Sequence, residues 1–200
     1  MPEPTRLPRA ARRAQLIESA AGTFLRRGFE ATSMDDVARD AGVSRLILYR
    51  IFSSKDELYR AILQSVIDHL GLAAEPYPVD AMRATGAARV LLPVARAHAD
   101  AFRLLWRRAL NEPQFADLAL GVQEIFVFYA RGIVSHYITD DDVRLEWAAR
   151  TASAHLVEAL CTWLDLGDPE RDEEAAELMV AGLRALTMAW SSEVPPPVSV

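Results

Sequence analysis

The sequence predicts an all-α protein of about nine helices. Three observations predict it. No stretch alternates apolar and polar residues with the two-residue period of a half-buried strand. Apolar residues recur instead three and four apart, as at Leu58, Ile62, Val66 and Leu70. Gly28, Gly42, Pro113, Gly167 and Pro169 fall at the edges of these stretches, where helices stop and start.

Composition narrows the class. The chain has 200 residues, half of them apolar, enough for a core in one large or two small domains. Its one cysteine, Cys161, excludes an internal disulfide framework and offers no zinc cluster. No run approaches the ~18 apolar residues of a membrane span. The N-terminus is basic but lacks the apolar segment of a secretory signal, so the expected location is the cytoplasm, with no membrane partner. Net charge is −6 and unevenly spread: residues 1–60 sum to +3 and residues 61–200 to −9. A modestly basic head on an acidic body suits a protein that reads nucleic acid with one end only. Lys55 is the only lysine, so nearly all positive charge is arginine.

Residues 1–8, with three prolines, are expected to be a flexible tail. A first helix spans about 9–27, with Leu16, Ile17, Ala20, Ala21, Phe24 and Leu25 as its apolar stripe and Gly28 as its stop. Arg9, Arg12 and Arg13 at its start suit either a phosphate-following arm or simple solubility.

Residues 32–55 carry the strongest signal. Ser33 can cap a short helix, with Asp36 as capping-box partner, and Val37, Ala38 and Ala41 form its inner face. Gly42 supplies a left-handed backbone at the turn, Val43 plugs it, and Ser44 caps a second helix from Arg45 to about Phe52. Ser54 opens a third, with Glu57 at the capping-box position. A small residue, a glycine and an apolar plug at this spacing make a helix-turn-helix. Burying Val43, Leu48 and Phe52 turns Arg45, Leu46, Ile47, Tyr49 and Arg50 outward. In a major groove, arginine can bond guanine, aliphatic groups can touch thymine methyls and tyrosine can reach phosphate. The alternative is a helical hairpin whose outward apolar groups pack elsewhere on the chain.

With these residues in view, 9–60 resemble the DNA-binding domain of the TetR family of one-component transcriptional regulators. The resemblance rests on RRAQLIESAAGTFLRRGF, ATSMDDVARDAGVS, LYRIF and SKDELY, about a quarter of the chain. It implies that Thr32, Tyr49 and Lys55 hold phosphates, that Arg45, Ile47 and Arg50 face bases, and that Ser33, Ser44 and Leu46 belong to the same surface. The chain departs from the family pattern in three places. Leu46 and Ile47 stand where Gly-Thr is common, Ile51 stands where His or Tyr is common, and Asp35 and Asp36 put negative charge near the DNA. These departures imply a weaker backbone grip and a larger share for thymine-methyl contacts.

A helix from about 55 to 71 links this head to the body without a flexible break. Beyond a two-proline loop, helices are expected at about 80–98, kinked at Pro93, and at 100–110, 114–137, 141–166 and 169–190. In the helix over 114–137, Val122, Ile125, Phe126, Tyr129, Ile133 and Tyr137 are expected inward. Phe102, Trp106, Phe126 and Tyr129, with His98, Gln123 and His155, are candidates to line a site for an apolar or aromatic small molecule; core filling by the same aromatics is the alternative. The last two helices are apolar on nearly every side and need cover. A homodimer would supply it, with Leu156, Trp163, Leu183, Leu186 and Trp190 as candidate interface residues, and the resemblance implies a four-helix bundle there. The expected division is 9–54 for the helix-turn-helix domain and 55–190 for ligand binding and dimerisation, with 1–8 and 191–200 as tails.

Enzymatic motifs are missing. His69, His98, His136 and His155 are scattered without metal-ligand spacing, and no nucleophile elbow, phosphate loop or C-x-x-C occurs. No catalytic residue, metal or cofactor is expected. The reading is a homodimeric repressor that binds double-stranded operator DNA and answers to a small-molecule effector. An activator or architectural binder without a ligand, and a helical enzyme, stay open at this stage.

Overall fold

Ten α-helices and two 3-10 turns, without a strand, make up residues 8–191, the part described in this computed structural model. The helices are α1 (Arg9–Arg27), α2 (Met34–Asp40), α3 (Arg45–Ile51), α4 (Lys55–Ala74), α5 (Val79–Thr85), α6 (Ala87–Ala97), α7 (Ala99–Arg107), α8 (Ala116–Val134), α9 (Asp142–Leu166) and α10 (Asp172–Ser191). The 3-10 turns are Ala109–Asn111 and Pro169–Arg171. Apart from Pro8 and Ser191, the expected tails lie outside the described residues. The all-α expectation holds. Among the described residues no helix is long and apolar enough to cross a membrane.

The chain packs as two compact units, one from the N-terminal residues through His69 together with His98–Ala119, the other from Leu70–Ala97 together with Leu120 onward. In the first, Leu16, Ala20, Ala21, Phe24, Val37, Leu48, Phe52, Leu58 and Ile62 are buried, as the helical stripes require. Its centre is aromatic. Tyr59 meets Phe24 and Phe29 edge-on, with ring centroids 5.0 and 5.2 Å apart, and lies 4.4 Å from Phe115. Burial pushes the Tyr59 hydroxyl far above its usual range, with the Glu112 carboxylate beside it adding to the shift.

In the second unit, Val134, Ile138, Leu145, Ala148 and Ala152 form a core against which Leu183 and Trp190 pack. Asp172 ties this unit's elements together. Its carboxylate takes two bonds from Arg96, at 2.9 and 2.7 Å, and one from the Trp163 indole at 2.7 Å. The Arg96 guanidinium holds the Asp172 carboxyl below the usual carboxylate range.

One helix expected over 80–98 is two. Gly86 has φ +92° and ends α5, and α6 then runs unbroken through Pro93. The division comes from Gly86, not from a proline kink, because a left-handed residue cannot continue a right-handed helix. A methyl group at Gly86 would also collide with the Val180 side chain on α10. In α8, Ile125 and Tyr137 were expected inward; Ile125 is 54% exposed and Tyr137, just past the helix end, 38%. The inward side of α8 is carried by Ala119, Val122, Val127 and Val134, a shift that the apolar run around Ile125 and Phe128 conceals.

Candidate nucleic-acid interface

The head is built by caps. Ser33 Oγ accepts from the Asp36 amide at 3.1 Å, and Asp36 Oδ2 accepts from the Ser33 amide at 3.0 Å, a complete capping box. Donation by Ser33, through hydroxyl and backbone, holds the Asp36 carboxyl well below its usual range, and Arg27 on α1 adds an ion pair at 2.8 Å. Thr23 on α1 donates to Asp40 at 2.9 Å, so both ends of α2 are fastened to α1. Gly42, at φ +64°, turns the chain, and the Val43 amide returns to Ala38 O at 3.0 Å. Ser44 Oγ then accepts from the Ile47 amide at 3.3 Å and starts α3. Ser54 caps α4 through the Glu57 amide, but Glu57 reaches back to the amide and hydroxyl of Ser53, one residue earlier than a capping box would have it.

These fastenings leave one side of α3 outward. Leu48 and Phe52 are fully buried, whereas Leu46 is 78% exposed, and Ile47, Tyr49, Arg45 and Arg50 are exposed too. The Arg45 guanidinium lies 5.2 Å from the Tyr49 ring centroid and pairs with Asp35 on α2 at 3.0 Å. Two expected phosphate holders are occupied otherwise. Thr32 is buried and its hydroxyl donates to Gly28 O at 2.7 Å, because the turn after α1 folds back over it. The Lys55 ammonium donates to Phe29 O at 2.8 Å and sits 4.1 Å from the Phe29 ring centroid. Ser33 and Ser44 keep their place on the surface, with their oxygens engaged as caps.

The seven candidate ligand residues divide between the two units. In the first, Phe102 is wholly buried with Trp106 edge-on at 6.2 Å, and His98 bonds Glu18 at 2.5 Å while its ring lies tilted against that of His69, with centroids 4.1 Å apart. In the second, Gln123, Phe126 and Tyr129 are half-buried on α8, and His155 is exposed on α9. His155 stands a helical step of 100° from Leu156, which points into the core, and so does not face the unit's interior.

The candidate interface residues are partly or wholly covered by the chain itself. Leu156 is buried, Trp163 is tied to Asp172, and Leu183, Leu186 and Trp190 are half-buried. Sequence reasoning left the outward small and apolar residues of the same helices out of the interface: Val143, Trp147 and Ala154 on α9, and Leu178, Ala181, Gly182, Ala185, Met188 and Ala189 on α10. Their spacing of three and four was the available signal, masked by an apolar stripe on the other side.

A short helix capped at its start, set across a tight turn from a second and presenting arginine, tyrosine and aliphatic side chains, defines a helix-turn-helix DNA-binding protein. The family model described as bacterial regulatory proteins, tetR family, matches residues 16–62, and the head built from those residues is of that family. Among curated relatives, the HTH-type transcriptional activator FasR of Mycolicibacterium smegmatis is 52% identical over 65 residues, covering 32% of this chain and 30% of that protein. A TetR-like transcriptional regulator from Rhodococcus sp. RHA1 superposes with a TM-score of 0.72 at 24% identity, over 90% of this chain and 98% of that one. AibR, solved in complex with isovaleryl coenzyme A and operator DNA, superposes with a TM-score of 0.63 at 20% identity, over 86% and 97%. The two structures share the fold along nearly their whole length; the match to FasR is confined to under a third of it.

Proposed function

We propose that the chain is a ligand-responsive transcriptional repressor of the cytoplasm, which binds a palindromic operator as a homodimer and is released by a small apolar or aromatic effector. The observation that carries the DNA-binding part is the exposure of Leu46, Ile47 and Tyr49 around a fully buried Leu48. The chain's own packing does not cover them, and a groove lined with base edges and thymine methyls would. The outward apolar residues of α9 and α10 support the dimer, since a second copy covers the same residues from the other side. One reading helix per chain then calls for two half-sites about one helical turn, ~34 Å, apart or slightly more. Phe126 and Tyr129, with Gln123 one turn away on α8, are the side chains we expect an effector to meet. AibR, which shares the fold, was solved with an acyl coenzyme A and DNA together, in keeping with both kinds of partner.

The test is selection of bound duplexes from a random pool with the full chain, repeated with hydrophobic compounds that raise its melting temperature. A selected motif with dyad symmetry, lost when such a compound is added, is the expected result. Selected sites without a dyad, together with a monomer at micromolar concentration, would overturn the dimeric reading. A compound that stabilises the protein and leaves DNA affinity unchanged would overturn the coupling, because equal affinity for both states shifts nothing. FasR is named an activator, and its 52% identity favours that sign as a second reading. The identity spans only 32% of the chain, however, and where the operator stands relative to the promoter sets the sign.

A further inference from the structure

We propose that Asp35 is a specificity-determining residue, positioning the Arg45 guanidinium for one base of each half-site; the inference rests on the DNA-binding reading above. The two side chains come from different helices and meet in front of the turn, with Arg45 Nη1 3.0 Å from Asp35 Oδ2. Both are more than half exposed, 65% and 56%. An ion pair this open to water contributes little to stability, so its consequence is geometric. The Tyr49 ring also approaches the same guanidinium, which lies 5.2 Å from its centroid. A guanidinium offers five N–H groups in a planar fork. With one donor on Asp35 and the Tyr49 ring close by, the remaining donors are biased toward one orientation before any DNA arrives. Part of the rotamer freedom that a loose arginine would lose on binding is given up beforehand.

Asp35 differs from its neighbour in this respect. Asp36 is taken up by the Ser33 cap and by Arg27 and Arg39, and is a structural residue of α2. Asp35 shares the first turn but accepts a bond from the reading helix instead. Its charge also repels the phosphate backbone of every sequence alike. A carboxylate that weakens binding to all DNA while orienting a base reader raises the ratio of specific to non-specific binding. A carboxylate present only to suit the helix dipole would have no such effect on base preference.

The experiment compares motifs selected from random duplexes by the full-length protein and by its Asp35→Asn, Asp35→Glu and Arg45→Ala variants, with melting temperature and affinity for random-sequence DNA measured alongside. Arg45→Ala marks the position that Arg45 reads. Asp35→Asn is expected to lower preference at that position about tenfold, the order of one well-formed bidentate contact. It should leave the other positions and the melting temperature unchanged and bind random DNA more tightly. Asp35→Glu should restore part of the preference. Full preference at the Arg45 position in Asp35→Asn, or an equal loss at every position, would overturn the proposal. No selected motif from the wild-type chain would instead overturn sequence-specific binding itself, so the two failures are distinguishable.

Discussion

At the scale of single residues, the reading helix makes sharp demands. Ile47 is exposed beside a buried Leu48, so Ile47→Ala should leave folding intact and relax base preference at one or two positions by about 1 kcal/mol. Base selection checks this, and an unchanged motif would show that Ile47 faces away from the groove. Lys55 has a second role within the chain, beside the phosphate contact that the family pattern implies. Its ammonium is bound to Phe29 O and lies over the Phe29 ring. Lys55→Ala should therefore cost about 1–2 kcal/mol of stability, seen in denaturant melts, besides any change in the salt slope of DNA binding. Sequence could not show this contact, since residues 29 and 55 meet only once α1 and α4 have packed. The Asp35–Arg45 pair was hidden for a like reason: ten positions separate its members, and the turn between the helices decides their distance.

At the scale of elements, what is local was legible. The Ser33 and Ser44 caps, the left-handed Gly42 and the end of α1 at Gly28 follow from neighbours along the chain. Gly86 was not legible, because nothing beside it marks a turn, although it breaks a helix with φ +92°. Gly86→Ala would force a side chain into that backbone and against Val180, at a cost of about 2–4 kcal/mol. Calorimetry on the variant checks the figure, and a loss below ~0.5 kcal/mol would mean the turn relaxes freely. The two sides of α9 and α10 were not told apart because both are apolar, and helical period alone cannot rank two apolar sides. The caps also predict an acid response. Asp36, Asp40, Glu57 and Asp172 are all held below their ordinary range, chiefly by Ser33, Thr23, Ser53 and Arg96 in turn. A depressed carboxylate stabilises the fold fully above its unfolded value of about 4 and loses that contribution as pH falls through the lower folded value. The melting temperature should therefore hold from neutral pH to about 5 and fall below about 4, with a shallower fall in Ser33→Ala. An equal fall in that variant would remove Asp36 from the explanation.

At the scale of the whole molecule, the proposed dimer is the feature most open to a direct test. Ala185 stands on the outward side of α10 beside Gly182 and Ala189. Ala185→Glu should leave helix content unchanged by circular dichroism, give a monomer on sedimentation and weaken operator binding by more than tenfold, since a half-site alone is left to hold each head. A variant that stays dimeric would move the interface to another face. The two packing units carry a different lesson, because they do not follow the expected division at residue 54. Phe29, in the loop after α1, leans on Tyr59 and on Phe115, with the Phe115 ring centroid at 4.9 Å, and its amide donates to Glu112 at 3.3 Å. The head is finished by a stretch of chain more than eighty residues downstream of that loop. Anyone re-addressing this regulator to a new promoter by splicing its first fifty-odd residues onto a foreign body would transplant the reading helices without the floor they stand on; the smallest portable cassette has to bring His98–Ala119 along with it.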